Sequence, residues 1–203
     1  MFNLPFAPRF SVAPIFIGAL AILLFLLEPW SFNLLAYDRS AVSELQLWRL
    51  FSGNLLHSNT AHLGMNLLAL LAVWALFGEY MPARRYTGLI VLIGLFCTMC
   101  IYLFAPERSS YVGLSGIIHG LLIYGSIIDI RHKIWLGWLL FAGVILKIIH
   151  EQLVGPSAAT AELINTAVAT ESHLYGAIGG ALCGVAVLIT QQRSSEEGTE
   201  NDR

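Results

Sequence analysis

Ser115 and His119 stand four residues apart in GLSGIIHGLLIYG, residues 113–125, a stretch otherwise apolar enough to enter a bilayer. A serine hydroxyl becomes a nucleophile only when a base takes its proton, and imidazole is the side chain most often used for that. His173 opens a second apolar stretch, and His57, His62 and Asn66 stand at the start of a third. Polar and ionisable residues within membrane segments usually face a bundle interior or a cavity and mark functional sites. The chemistry these types suit is acyl transfer. A serine at a helix N-terminus lies beside free backbone N–H groups and the positive end of the helix dipole, and preorganised donors of this kind hold a tetrahedral oxyanion.

Both His119 and His173 are candidate bases. Gly176 and Gly180 follow His173 at i+3 and i+7, on one helix face, with Gly184 continuing it. Gly116 and Gly120 form a small face flanking Ser115 and His119. Faces of small residues let membrane helices approach closely, so the two segments are expected to pack tightly enough for His173 to reach Ser115. His119, one turn deeper on the serine's own helix, is expected to stack beneath the incoming imidazole. Ser115 taken alone reads as a hydroxyl bonded back to its own helix; its company favours catalysis.

The elements that must position these residues are membrane spans. The chain has 203 residues, 57% hydrophobic and 12% charged, with a mean hydropathy of +0.71; soluble domains carry about twice that share of charge. Its formal net charge of −2 suggests no nucleic-acid partner. Cys97, Cys100 and Cys183 all lie in apolar runs and read as packing residues, and no metal site or cofactor is expected. Apolar runs long enough to cross, or nearly cross, a bilayer lie at Val12–Leu27, Ala61–Phe77, Tyr86–Phe104, Gly116–Ile130, Ile134–Ile149 and Leu174–Thr190. The expected fold is an all-α integral membrane protein, a six-helix bundle over 1–190, with a polar, disordered cytoplasmic tail over 191–203. The fourth run rises only about 22 Å against a hydrocarbon core of roughly 30 Å, so Ser115 is expected to sit submerged at the floor of an external opening.

Basic residues are commoner on the segments that include Arg9, Arg84, Arg85, Arg131, Lys133 and Arg193 than on those with Arg39, Arg49 and Arg108. That bias places both termini inside and puts Ser115, His173, His62 and Asn66 together at the external side. Residues 28–54, rich in aromatic and aliphatic side chains, are expected to lie in the outer leaflet. Lys147 and His150 are expected to snorkel to the interface, and His132 reads as part of a cytoplasmic basic turn.

From about residue 12 to 190 the chain resembles the rhomboid intramembrane serine proteases. The resemblance rests on Trp48-Arg49, HLGMN (62–66), GLSG (113–116) and HLYGAIGG (173–180), in that order and at six-span spacing. It implies Ser115 as nucleophile, His173 as its base, His62 and Asn66 as oxyanion support beside Gly113 and Gly116, and no acidic third member. Many members carry a tyrosine four residues after the nucleophile; His119 stands there instead, and GLSGIIHG looks like the rhombosortase branch. That branch implies a bacterial inner-membrane enzyme, open to the periplasm, cutting exported proteins that end in Gly-Gly, one transmembrane helix and a basic tail. The gate implied is span five with the 151–172 loop. The alternatives are a pseudoprotease that binds membrane helices without cutting, and a transporter using the histidines as a proton relay. The latter expects polar residues along the inner halves of the spans and an internal repeat, and neither is evident. The sequence sets no oligomeric state.

Overall fold

A backbone in hydrocarbon must satisfy its own N–H and C=O groups, so the long apolar runs have one solution, the helix. The computed structural model describes residues 4–164 and 167–201. In chain order it contains α1 (Pro8–Leu26), α2 (Trp30–Leu35), β1 (Tyr37–Asp38), α3 (Arg39–Ser43), α4 (Arg49–Ser52), α5 (Thr60–Phe77), α6 (Ala83–Phe104), β2 (Ser110–Tyr111), α7 (Ser115–Arg131), α8 (Trp135–Val154), α9 (Ala158–Ile164) and α10 (Thr170–Asn201). Among the described residues, five helices are long and apolar enough to cross a membrane: α1, α5 with the 3-10 turn that follows it, α6, α8 and the first part of α10, Thr170–Gln191. The expected fourth span is α7, with 17 residues.

Shortness and burial go together in α7. Twelve of its seventeen residues are buried, because α5, α6, α8 and α10 all pack around it. A helix so enclosed meets protein instead of lipid, and this allows it to carry the buried Ser126 and Asp129. Asp129 accepts a 2.6 Å hydrogen bond from Tyr80 Oη, which satisfies a carboxyl that burial would otherwise penalise.

The connections 78–82 and 132–134 are short, while 27–59, 105–114 and 155–169 are long and gather at the opposite end of the bundle. There β1 pairs antiparallel with β2, Tyr37 opposite Tyr111 and Asp38 opposite Ser110, which ties the first long connection to the segment entering α7. Asp38 also caps α3, and the Ser40 hydroxyl and Ala41 amide hold its carboxyl below the usual carboxylate range. Arg49 is buried and donates to the carbonyls of Ala36 (2.6 Å) and Asn33 (2.9 Å) and to Gln46 Oε1 (2.8 Å). It is the strut that holds this connection folded. Trp30, Leu34, Leu45, Leu47 and Trp48 stay exposed on it, as a segment lying along a membrane interface requires.

Two helices run past their expected ends. α8 continues beyond Ile149 to Val154 and stops at Gly155, whose φ of +98° turns the chain out of the helix. α10 continues through Asn201 where a disordered tail is expected. Extending a formed helix adds one hydrogen bond per residue without a new nucleation cost, and the Glu, Gln and Arg residues there are good helix formers.

Candidate active site

Ser115 is the first residue of α7, and Leu114 before it offers no side-chain cap, so the amides of this first turn have no partners within the helix. The turn into it depends on Gly113. Its φ is +131°, and a Cβ there would lie 2.8 Å from both Cε1 and Nε2 of His62. Only glycine gives both this conformation and this approach. The turn is held by Gly113 N donating to Gly53 O at 3.2 Å and Tyr111 Oη donating to Gly113 O at 2.7 Å.

α5 brings His62 to the same place. Asn59 caps the helix by accepting from the His62 amide at 2.8 Å. Ser58 approaches His62 Nδ1 with its amide at 3.4 Å and its hydroxyl at 3.1 Å. An amide only donates, so Nδ1 is an acceptor and the ring proton sits on Nε2, the nitrogen facing Gly113. One turn on, Asn66 is buried, and its Nδ2 has no hydrogen-bond partner among the described residues. An orphan donor of this kind is costly. His57, fully buried, packs edge-on against His62 with ring centroids 5.0 Å apart; it supports the ring from behind. Ser58, His62, Arg108, Tyr111, Ser115 and Val168 are among the residues lining a cavity of about 280 Å³ over this site.

α10 supplies His173. Its Nε2 lies 3.0 Å from Ser115 Oγ. The close approach follows from the glycines: a Cβ on Gly176 would fall on the Gly116 carbonyl, and one on Gly180 on the Gly120 carbonyl. Gly120 in turn leaves only 2.5 Å to Gly176 O, and a Cβ on Gly116 would meet Cys97 Sγ at 2.8 Å and Ser172 O at 2.9 Å. Cys97 is a free, buried thiol that donates to Ser172 O at 3.3 Å, so its place is in this packing.

His119 lies beneath His173, with ring centroids 4.1 Å apart and planes 17° off parallel. Its Nδ1 is 2.7 Å from the Ser115 carbonyl. A carbonyl only accepts, so Nδ1 carries the proton, and this ring is tied to its own helix.

A carboxyl that the sequence reading leaves in a loop lies beside this pair. Glu151 is buried, and its Oε2 lies 2.7 Å from His173 Nδ1. Lys147, one turn earlier, donates to Glu151 Oε1 at 2.5 Å, while its side chain stays about half exposed. Reading span five as ending at Ile149 puts Glu151 in a loop. In the longer helix, Val144, Ile148 and Glu151 form one buried face. The missed signal is in the sequence: Gly155-Pro156 is a helix stop, and no breaker stands between Ile149 and Gly155. His119, Glu151 and His173 are also a His/Glu group whose ligand atoms lie within 4.8 Å of one another. Imidazole lone pairs lie in the ring plane, so two stacked rings cannot both point at one ion about 2 Å away. The group reads as a hydrogen-bonded chain from Lys147 through Glu151 and His173 to Ser115.

No curated protein matches the chain. The family profile described as Rhomboid domain matches residues 44–190, well over half its length and the part that carries His62, Ser115, Glu151 and His173. With its apolar helices and this match, the chain is a multi-pass membrane protein that belongs to the rhomboid family, whose members are intramembrane serine proteases acting on membrane-embedded substrates.

Proposed function

We propose that this chain is an intramembrane serine endopeptidase in which Ser115 is the nucleophile and His173 its general base. The carrying observation is the 3.0 Å contact of His173 Nε2 with Ser115 Oγ at the N-terminus of a buried helix. In acylation, Oγ attacks the scissile carbonyl carbon as Nε2 takes its proton. The resulting oxyanion is held by the His62 Nε2–H, the Asn66 amide and the free N–H groups that start α7. The imidazolium then protonates the leaving amine as the C–N bond breaks. A water, deprotonated by the same nitrogen, attacks the acyl-serine and releases the new carboxylate. No cofactor takes part.

The substrate class is a transmembrane-anchored protein cut near the outer membrane–water boundary, the site facing the periplasm of a bacterial inner membrane. A cavity over Ser115 supplies the water that lipid excludes. A helical substrate must unwind before attack, and glycines near its outer end lower that cost. The GLSGIIHG motif, with His119 stacked on His173, supports the rhombosortase branch and a Gly-Gly sorting signal. α8, the least buried of the membrane-crossing helices, is the side by which such a helix enters.

The test is cleavage of a membrane protein carrying a Gly-Gly-headed transmembrane helix and a basic tail. Wild type and Ser115→Ala are compared in the same membranes, and any new terminus is mapped by mass spectrometry. A cut near the outer end of the helix that disappears in Ser115→Ala is expected. Substrates left intact across a panel of helices, yet retained on the protein, would make it a helix-binding pseudoprotease.

A further inference from the structure

We propose that Glu151 is a positioning residue that sets the tautomer of His173 and makes the site a Ser–His–Glu triad, with Lys147 fixing the carboxylate in turn. This rests on the reading of Ser115 and His173 as nucleophile and base. A base must present a bare nitrogen to the serine, and neutral imidazole has one protonated and one bare nitrogen. Nothing in the Ser115–His173 contact itself chooses between them, because a hydroxyl can donate or accept. The choice comes from the other side of the ring. A carboxylate only accepts, so Glu151 Oε2 at 2.7 Å draws the proton to Nδ1 and leaves Nε2 bare toward Ser115. When Nε2 takes the serine proton, the carboxylate also faces the new positive charge.

Lys147 completes the device. It binds the other carboxylate oxygen, Oε1, and so fixes the plane of the carboxyl group. Its Nζ is 3.5 Å from His173 Nδ1, but an ammonium has no lone pair to accept the Nδ1 proton, so it does not replace Glu151. Glu151 and Lys147 sit one turn apart on α8, and His173 is on α10. The serine, the base and the group that orients the base therefore come from three different helices.

A packing residue and a tautomer-setting residue respond differently to substitution. Glu151→Gln keeps the shape. Lys147 binds the amide oxygen, so the amide NH₂ faces Nδ1 and donates to it; the ring proton then moves to Nε2, the wrong side. Glu151→Ala, made together with Lys147→Ala so that no ammonium is left facing Nδ1, removes the shape but forces no tautomer. In purified, folded protein, Glu151→Gln is expected to lower kcat about 100-fold or more with KM within about twofold, wrong-tautomer substitutions in serine triads reaching about 10⁴-fold. Glu151→Ala with Lys147→Ala is expected to be no worse than Glu151→Gln, and Glu151→Asp to recover part of the loss. A Glu151→Gln variant within twofold of wild type, or milder than that double variant, or changed mainly in KM, overturns the proposal.

A second readout needs no substrate. ¹⁵N-histidine NMR, with the His173 signals assigned by their absence in His173→Ala, is expected to show protonated Nδ1 in wild type and protonated Nε2 in Glu151→Gln. An unchanged tautomer also overturns it. If wild type and Ser115→Ala fail alike to cleave, and a fluorophosphonate does not label Ser115, the protease reading fails on its own. The NMR result still decides the role of Glu151.

Discussion

At the scale of single residues, the site separates two histidines of similar burial by what each nitrogen touches. His173 places one nitrogen on Ser115 Oγ and the other on Glu151, whereas His119 spends its Nδ1 on its own helix's carbonyl and offers a ring face. His119→Phe keeps a face for stacking and is expected to cost at most about tenfold in kcat/KM, since an aromatic stack is worth about 0.5–1.5 kcal/mol. His173→Ala is expected to abolish cleavage; the reverse pattern would make His119 the base. His62 and Asn66 differ from both because they offer donors. His62→Ala and Asn66→Ala are each expected to lower kcat by about 10²–10³, the effect of losing one oxyanion donor, with KM little changed. Loss of KM instead would mean that these residues hold substrate, not the transition state.

At the scale of elements, the decisive contact is α7 against α10, and glycine positions make it. Gly176→Ala places a Cβ on the Gly116 carbonyl, whereas Gly143 on α8 has nothing within 4 Å of where a Cβ would go. Gly176→Ala is therefore expected to lower thermal stability in detergent by about 1–3 kcal/mol or more, the cost of overpacking, and to move His173 off Ser115 and lose cleavage. Gly143→Ala is expected to be neutral or slightly stabilising, because alanine is the better helix former. Equal effects at the two positions would remove the packing argument. α8 has a double part at this scale: it carries Glu151 into the site and is the membrane helix with the least protein around it. Any outward movement of α8 withdraws the carboxylate from His173.

At the scale of the whole molecule, the long connections and the candidate catalytic groups share one end of the bundle, and the short turns with Arg84, Arg85, Arg131 and Lys133 lie at the other. The basic end is expected to face the cytoplasm. Alkaline phosphatase fused at Gly155 is then expected to be active and a fusion after Thr190 inactive; the opposite result would turn the site to the cytoplasm and refute the periplasmic reading. The 28–54 connection is expected to depend on Arg49, whose three bonds hold it folded beside β1.

Hydrophobic patterning alone determined that the chain is a helical membrane bundle, and roughly where five of its helices cross, because lipid leaves the backbone no other way to satisfy itself. The spacing of small residues beside Ser115 and His173 was enough to bring those two helices together, since a missing Cβ is a local property that packing cannot disguise. Hydropathy places the end of α8 too early, because it sees the bilayer's edge and not the continuation of a helix beyond it. That error hid Glu151. Its role depends on a helix extending past its apolar stretch, on the face that extension presents, and on a neighbour 22 residues away in sequence. The same holds for Ser58 and His62, where hydrogen-bond direction decides which nitrogen carries the proton. Only the tertiary structure sets such pairings, because they belong to the space between elements.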